Sequence, residues 1–307
     1  MSGKITEPAS DEWSDWLFNR RHASDPEHER LIQPSLERIR DRVLDRAQLR
    51  ENMTIADIGT GSGLIAFGAM DRIGPSLHVL LADVSKQLLG RAESVAIERG
   101  VRDQCDFLQC SAEKLDGIRG ASVDVVITRA VLAYVSDRKA ALGEFFRILK
   151  PGGRLSIAEP IFQDDAFEAI SLRKMMESQP KGCQDPFLKL LHRWKSAQFP
   201  DTQELLLQNP IANYSERDLF RAIAGIGFGQ VQLELQIATL PAISNSWEFF
   251  LRSSPHPWAP SLETIIEQQF SAEERRLFEQ TLRPVVEGSQ LTTTERIAYL
   301  SAIKPLL

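Results

Sequence analysis

The residues best suited to ligand chemistry lie in one short stretch, 57–64, where an acid precedes three alternating glycines. Asp57 ends a short apolar run, and Gly59, Thr60 and Gly61 follow it before a helix-like run begins. Glycines adopt positive φ and let a ligand approach where a Cβ would collide. The N–H groups that open the following helix favour an anionic ligand group. This strand–turn–helix pattern predicts a nucleotide-type site on an open α/β sheet.

The glycine spacing separates two classes of nucleotide ligand. A dinucleotide fingerprint has glycines at its first, third and sixth positions. Counted from Gly59, the third glycine here is Gly63 at the fifth position, and the sixth is Leu64. The resulting pattern, D-x-G-x-G-x-G, resembles motif I of the class I S-adenosylmethionine (SAM) dependent methyltransferases. The resemblance implies that the turn holds the amino-acid half of SAM; a tight turn that binds nothing is the alternative.

An acid at the end of the second predicted strand, 77–82, suits the cofactor's sugar. Asp83 follows this strand directly, and one carboxylate can accept hydrogen bonds from both ribose hydroxyls. Asp83 and the adjacent Val84 are therefore assigned to the cofactor site. Alternatively, Asp83 has a purely structural role and caps the helix that follows it.

The loop after the third predicted strand, 104–109, departs from the resembling family. That family commonly reads G-D-A here, with an aspartate that reaches the adenine amino group. The aspartate position is Ser111 in this chain, followed by Ala112. The Ala112 N–H could still meet the adenine ring, but a neutral hydroxyl makes a weaker or water-mediated contact.

The fourth predicted strand, 123–128, is a continuous apolar run typical of a strand buried on both faces. Its carboxyl end lies beside strand one, at the switch point where such sheets bind ligands. Arg129 therefore places a permanently charged guanidinium group at this crevice. Arg129 could bind the cofactor's carboxylate or an acidic group of the acceptor, or it could form an ion pair on the protein surface. Tyr134 could line the acceptor pocket, orient a nucleophile, or simply pack.

The segment 147–155 reads R-I-L-K-P-G-G-R-L and matches the family string R-x-L-K-P-G-G-x-L. We expect its proline and glycines to reverse the chain between a helix and strand five. The resemblance is to the small-molecule branch, including the ubiquinone/menaquinone-biosynthesis type, and covers about residues 50–160. It implies a doubly wound, Rossmann-like α/β sheet of seven strands with the last antiparallel, plus N-terminal helices and helical cap insertions.

The remaining segments predict a cap around a pocket. Residues 13–22 are aromatic and then basic, which favours either a packed amphipathic helix or a lid. The insertions are apolar and aromatic; extension of the core or a dimer interface, and hence a homo-oligomer, is the alternative. The predicted organisation is 1–50 N-terminal helical lid, 51–160 SAM-binding core, 161–213 helical cap insertion, 214–240 core continuation, 241–291 second helical insertion and 292–307 final strand.

The implied reaction is in-line attack of an acceptor nucleophile on the sulfonium methyl, with SAM as the cofactor. Catalysis then comes mainly from alignment and exclusion of water. A base is needed only if the acceptor must lose a proton. The candidates are Tyr134, Glu159, His22 and His192. The five histidines show no metal-like spacing with carboxylates, so we expect no metal.

Composition narrows the partners and the location. A net charge of -6 argues against a general nucleic-acid binder and leaves a small-molecule acceptor as the expected partner. No apolar run approaches the roughly 20 residues that span a membrane, so a cytoplasmic protein is expected. The three cysteines, Cys105, Cys110 and Cys183, lack metal-ligand spacing.

Three other functions would preserve part of the pattern. A SAM-dependent enzyme that does not methylate, such as a cyclase or a modified-group transferase, would keep every motif. A non-catalytic SAM-binding scaffold would keep the glycine turn. An NAD-dependent reductase shares the architecture, but the glycine spacing opposes it.

Overall fold

The computed structural model describes residues 11–21, 26–180, 182 and 185–306, and it contains a seven-stranded sheet. The strand order is β3-β2-β1-β4-β5-β7-β6, and β7 runs antiparallel to both of its neighbours while the other pairs are parallel. This confirms the predicted fold class. The strands are β1 (Thr54–Ile58), β2 (His78–Asp83), β3 (Cys105–Gln109), β4 (Val123–Arg129), β5 (Leu149–Pro160), β6 (Gly229–Pro241) and β7 (Thr292–Ile303).

Helices precede the first strand and separate most of the others. A π-helical turn, Trp16–Arg20, extends the first helix, and the Ser215 side chain and Asp218 form a capping box at the start of the helix Glu216–Ile226. The α-helices are α1 (Glu12–Asp15), α2 (Pro26–Ala47), α3 (Leu64–Ile73), α4 (Lys86–Glu98), α5 (Arg138–Ile148), α6 (Gln163–Ser178), α7 (Pro186–Gln198), α8 (Gln203–Gln208), α9 (Glu216–Ile226), α10 (Trp247–Arg252), α11 (Leu262–Gln269) and α12 (Ala272–Glu287).

Apolar side chains cover both faces of the sheet, as a mostly parallel sheet requires. One core cluster joins the sheet to α2, α3 and α4, and the other joins it to α5 and α9. The β1 and β4 strands are buried almost throughout because they lie in the middle of the sheet. The loops at their carboxyl ends are therefore held by a rigid layer.

The Pro-Gly-Gly string differs from the prediction. We expected a reversal before strand five, but Leu149 already pairs with Val123, and β5 includes the string. The register shifts between this pair and the next one, and Gly152 has a φ of 77°. A Cβ on Gly153 would lie 2.8 Å from the Lys150 carbonyl oxygen. The string is therefore an irregularity inside a strand that only glycine can accommodate.

The two insertions pack mainly on each other. Leu190 of α7 shares an apolar core with Trp247, Ile265 and Phe278 of α10, α11 and α12. A smaller core joins α6 to the segment around α8 and reaches Tyr134. Much of the aromatic content of the insertions is thus buried within this chain. The domain limits and the homo-oligomer remain predictions.

Candidate active site

The glycine turn has the backbone geometry that the sequence predicts. Gly59, Gly61 and Gly63 have φ values of 66°, 57° and 90°. A Cβ on Gly59 would lie 2.2 Å from Val131 Cγ2, whereas a Cβ on Gly61 would meet no atom within 4 Å. Gly59 is therefore needed for the close approach of the loop after β4. Gly61 lines the cavity and leaves room for a ligand.

Asp57 stabilises this turn through side-chain hydrogen bonds. Its Oδ2 accepts hydrogen bonds from the Thr60 hydroxyl at 2.8 Å and from the Ala66 N–H at 3.1 Å. The side chain is 1% exposed, and burial raises its pKa to about 7. Asp57 and Thr60 both line the cavity, but the contacts of Asp57 hold the turn itself. Direct cofactor binding by either residue remains a prediction.

Asp83 joins the glycine turn to the start of α4. Its Oδ2 accepts the Gly61 N–H at 2.8 Å, and its Oδ1 accepts the Ser85 N–H at 2.9 Å. Burial raises the pKa of this carboxyl. Both Asp83 and the half-exposed Val84 line the cavity. A carboxylate offers about four acceptor positions, so two stay available for ribose hydroxyls.

The loop after β3 lies next to Asp83. The Cys110 N–H donates to the Asp83 carbonyl oxygen at 3.1 Å, and Ser111 and the buried Ala112 line the same cavity. The Ser111 hydroxyl contacts a Glu113 carboxylate oxygen at 3.3 Å. Glu113 therefore brings an acid close to the position where the resembling family has its aspartate. The sequence interpretation overlooked it because it is displaced by two positions.

Arg129 lies at the carboxyl end of β4, where the backbone makes a sharp bend. The next residue, Ala130, has a φ of 54°, and its N–H donates to the Ala158 carbonyl oxygen. Burial, and secondly the charge of Arg21, lowers the pKa of Arg129 to about 10. Burial also lowers the pKa of Arg21. Both residues line the cavity, and the charge of one acts on the other.

Five rings from four parts of the chain form what we call the aromatic enclosure. The Tyr134 ring lies 5.3 Å from Trp13, 6.2 Å from Trp16, 6.2 Å from Phe162 and 5.9 Å from Trp258. All of these distances join ring centroids. Burial raises the pKa of Tyr134 to about 12, so its hydroxyl stays protonated at neutral pH. The sequence drew attention to 13–22 and to Tyr134, but not to their meeting with Trp258.

Two of the other predicted bases, Glu159 and His192, lie outside this space. Glu159 is fully buried, and its oxygens accept the N–H groups of Val131 and Ala133 at 3.1 Å. Burial raises the pKa of Glu159 to about 7. His192 contacts Asp201 at 2.9 Å, and neither His192 nor Glu159 is among the described residues that line the cavity. His22 lies outside the described residues.

Two titratable residues near the cavity were missed by sequence reasoning. Asp165 lines it, and burial raises the pKa of this carboxyl to about 6 although Arg296 lies 3.6 Å away. The His256 Nε2 lies 2.9 Å from the Gln198 carbonyl oxygen, so this nitrogen donates and Nδ1 is the unprotonated one. The His256 ring is 6.1 Å from Phe162. The sequence offered a signal for Asp165, because this acid lies in the first helical turn after strand five. It offered no signal for His256.

One cavity of about 850 Å³ connects the glycine turn, Asp83 and the aromatic enclosure. This volume is in the range of cofactor and substrate pockets.

In the part of the chain that the structure describes, no cluster of three or more His, Cys, Asp or Glu could hold a metal ion. No described helix has both the length and the apolar content to cross a membrane. Burial raises the pKa of the free thiols of Cys105 and Cys110 to about 11.

Sequence comparison identifies relatives for part of the chain. The ubiquinone/menaquinone biosynthesis C-methyltransferase of Xylella fastidiosa strain M23 is 34% identical over 134 residues, which are 40% of this chain and 53% of that protein. The tRNA 5-carboxymethoxyuridine methyltransferase of Escherichia coli K12 is 33% identical over 107 residues, 35% of this chain and 40% of that protein. The chain thus spans about half the length, or less, of these curated relatives.

Structural comparison extends the likeness over most of the chain. The YcgJ protein of Bacillus subtilis superposes with a TM-score of 0.52 at 16% identity, covering 87% of this chain and 98% of YcgJ. A Haloferax volcanii chain solved with the Trm112 methyltransferase activator gives 0.54 at 17% identity, covering 97% and 100%. At these identities the likeness concerns the fold alone.

A family model described as a methyltransferase domain matches residues 49–208, just over half of the chain. The match includes the glycine turn, Asp83, Arg129 and the R-I-L-K-P-G-G-R-L string. The chain therefore belongs to the class I SAM-dependent methyltransferase family.

Proposed function

We propose that this protein transfers the methyl group of SAM to a small, largely apolar acceptor. The observation that carries this proposal is one cavity with two kinds of lining. The glycine turn and Asp83 line what we call the cofactor end, and the rings of the aromatic enclosure other than Trp258 line what we call the acceptor end. Two ligands that meet in such a space can be held with their reacting atoms about 3–3.5 Å apart.

The residues of the cofactor end fit SAM. Asp83 keeps two acceptor positions for the ribose, and Gly61 leaves the space that a Cβ would fill. Arg129 offers a guanidinium at the switch point of the sheet for the carboxylate of the amino-acid half. When bound, SAM supplies an electrophilic methyl group on a sulfonium. Ser111, Ala112 and Glu113 are available for the adenine.

The residues of the acceptor end exclude water and orient the nucleophile. The faces of Tyr134 and its neighbouring rings suit an apolar acceptor, and they also stabilise positive charge. The protonated Tyr134 hydroxyl can donate a hydrogen bond to the acceptor, so it serves orientation better than proton removal. Asp165 is better placed as a base, because it lines the cavity and its raised pKa allows both protonation states near neutral pH.

The N-terminal segment 11–21 closes the cavity in the manner of a lid. Trp13 and Trp16 form part of the enclosure, while the Ser85 hydroxyl donates to the Asp11 carboxylate at 2.6 Å. The Ser14 hydroxyl donates to Gln87 at 2.6 Å. The segment therefore contacts the helix that follows Asp83. Opening of these few polar contacts would admit both ligands.

The relatives support the cofactor end more than the acceptor end. Their names refer to ubiquinone and menaquinone biosynthesis in one case and to a tRNA nucleoside in the other. The named acceptors differ although both relatives are methyltransferases, which supports a common cofactor more than a common acceptor. A small-molecule acceptor, rather than RNA, agrees with the net charge of -6 and the apolar enclosure. Location in the cytoplasm remains a prediction.

Calorimetric titration of the purified chain with SAM, S-adenosylhomocysteine and NADH tests the cofactor first. We expect saturable binding of both SAM and S-adenosylhomocysteine, and failure of SAM to bind at millimolar concentration would refute the proposal. Turnover is then followed by release of S-adenosylhomocysteine and by product mass. A mass gain of one methyl group supports methyl transfer, whereas a converted acceptor without this gain favours the non-methylating alternative.

A further inference from the structure

We infer that the acceptor is an apolar carboxylic acid whose carboxylate is bound by Arg21 beside Trp16. The inference rests on the proposed function and specifies the substrate class of its acceptor end. It starts from the hydrogen-bond donors of Arg21 and Trp16, two residues that line the cavity and have no acidic partner among the residues that the structure describes.

Arg21 and Arg129 contribute this charge. Neither guanidinium has a carboxylate partner at ion-pair distance among the residues that the structure describes. The neighbouring Arg20 shows the contrast, because it pairs with Asp15 at 3.0 Å and donates to the Pro257 carbonyl oxygen. The carboxylate of Glu159, which acts on Arg129 from farther away, already accepts backbone N–H groups. Two like charges that share a partly buried space need an anion to balance them.

Trp16 adds a third donor at the same place. Its side chain is 6% exposed and lines the cavity, and its indole Nε1–H is buried without an acceptor among the described residues. The Arg21 guanidinium carbon lies 5.2 Å from the centroid of the Trp16 ring. A buried donor without a partner is costly, and such a group is commonly satisfied by a ligand or by water. A carboxylate offers enough acceptor positions for both groups.

The cofactor accounts for only one of the two arginines. SAM has one carboxylate, and Arg129 follows β4 next to the loop residue Val131, which packs against Gly59 of the turn. Arg21 instead comes from the N-terminal segment that forms the enclosure. Among the described residues, no acid forms an ion pair with Arg21: Asp83 accepts hydrogen bonds in the turn, and Asp165 lies beside Arg296. An unpaired guanidinium group therefore belongs to the acceptor end.

The same charges oppose a cationic acceptor. An aromatic enclosure alone would suit a quaternary ammonium group. However, the Arg21 guanidinium already lies over the Trp16 ring of this enclosure, and its charge would repel a second cation nearby. An apolar acid uses both features, because its hydrocarbon part contacts the rings and its carboxylate meets the donors.

Matched acids and amides test this inference. The full chain is saturated with S-adenosylhomocysteine and titrated calorimetrically with trans-cinnamate and 2-naphthoate, and then with their primary amides. Loss of a charge-assisted contact corresponds to about 10–100-fold in Kd. We expect the acids to bind at least about tenfold more tightly than the amides. Equal affinity for acid and amide, or no binding of any of the four ligands, would overturn the inference.

Variants then locate the contact. In Arg21→Gln the ratio of amide Kd to acid Kd should fall close to one, and Arg21→Lys should retain part of it. Arg221→Gln is the matched control, because Arg221 lies on α9 with its side chain 73% exposed, and its ratio should stay at the wild-type value. The affinity for S-adenosylhomocysteine should not change in any variant. If Arg21→Gln weakens that affinity while the acid preference persists, Arg21 serves the cofactor and the inference is wrong.

These outcomes stay separate from failure of the proposed function. Absence of binding by both SAM and S-adenosylhomocysteine in the wild-type chain would refute the methyltransferase proposal itself. Normal binding of S-adenosylhomocysteine without acid preference would refute only the assignment of the acceptor.

Discussion

Replacement of Asp83 by asparagine should weaken SAM binding by about 1–3 kcal/mol, or roughly 5–150-fold in Kd. The Asp83 oxygens accept the Gly61 and Ser85 N–H groups, and their remaining acceptor positions are those proposed for the ribose hydroxyls. Asparagine keeps one acceptor oxygen, loses the negative charge and turns an NH₂ group toward a backbone donor. The range follows because hydrogen bonds to a charged group contribute about 1.5–3 kcal/mol and one acceptor oxygen survives.

Calorimetry with SAM measures this change, and an analogue without the two ribose hydroxyls tells where it arises. The analogue should bind wild type and Asp83→Asn with nearly equal affinity, because it cannot make the lost contacts. Asp106→Asn is the matched control: its exposed carboxylate lies on the neighbouring strand β3 and pairs with His78. Its affinity for SAM should equal that of the wild type.

Two results would refute the reasoning on Asp83. Unchanged SAM affinity in Asp83→Asn would show that this carboxylate does not bind the ribose. An equal loss for SAM and for the analogue would show that the substitution acts through the glycine turn. Thermal unfolding of each variant, measured in parallel, detects damage to the turn independently of binding.

Two further predictions concern the support of the site. Burial raises the pKa of Glu159 above its usual range to about 7, so its neutral form stabilises the fold below the ordinary glutamate pKa and this contribution is lost as pH rises through about 7. Glu159→Gln should therefore be less stable than wild type by about 1–3 kcal/mol at pH 5, with a gap that narrows toward pH 8 in urea unfolding; a gap independent of pH would contradict this. Gly59→Ala should cost roughly 2–4 kcal/mol, because its Cβ meets Val131 at a φ of 66°. Gly143→Ala, on the open side of α5, should be neutral or stabilising in the same assay, and similar losses in both would refute the steric argument.

The sequence predicted the glycine turn and the neighbouring position of Asp83 because their determinants are local. The glycine turn is one short string, and Asp83 ends the strand next to it, so strand order and spacing suffice to bring them together. The conformations of Gly59 and Gly61 follow from the same string. Neither assignment required knowledge of how distant segments pack.

The acceptor end depends on packing that the sequence does not encode locally. Trp13, Tyr134 and Trp258 are far apart in the chain and meet only because the insertions fold back over the sheet. Glu159 was a candidate base because it is an acid at the end of a strand near the site. Its oxygens instead accept hydrogen bonds from backbone N–H groups of the loop after β4. Asp165, in the first turn of the helix that follows β5, lines the cavity instead. Which of two nearby acids faces a ligand is decided by strand direction and burial, not by residue type.

The contact between Asp11 and Ser85 has a consequence for the order of ligand exchange. The same eleven-residue piece that supplies Trp13 and Trp16 is fastened beside the residue proposed to bind the sugar of SAM. Release of spent cofactor and release of methylated product thus depend on one displacement. Under the proposed function, departure of this piece is a candidate for the slow step of turnover, separate from the chemical step.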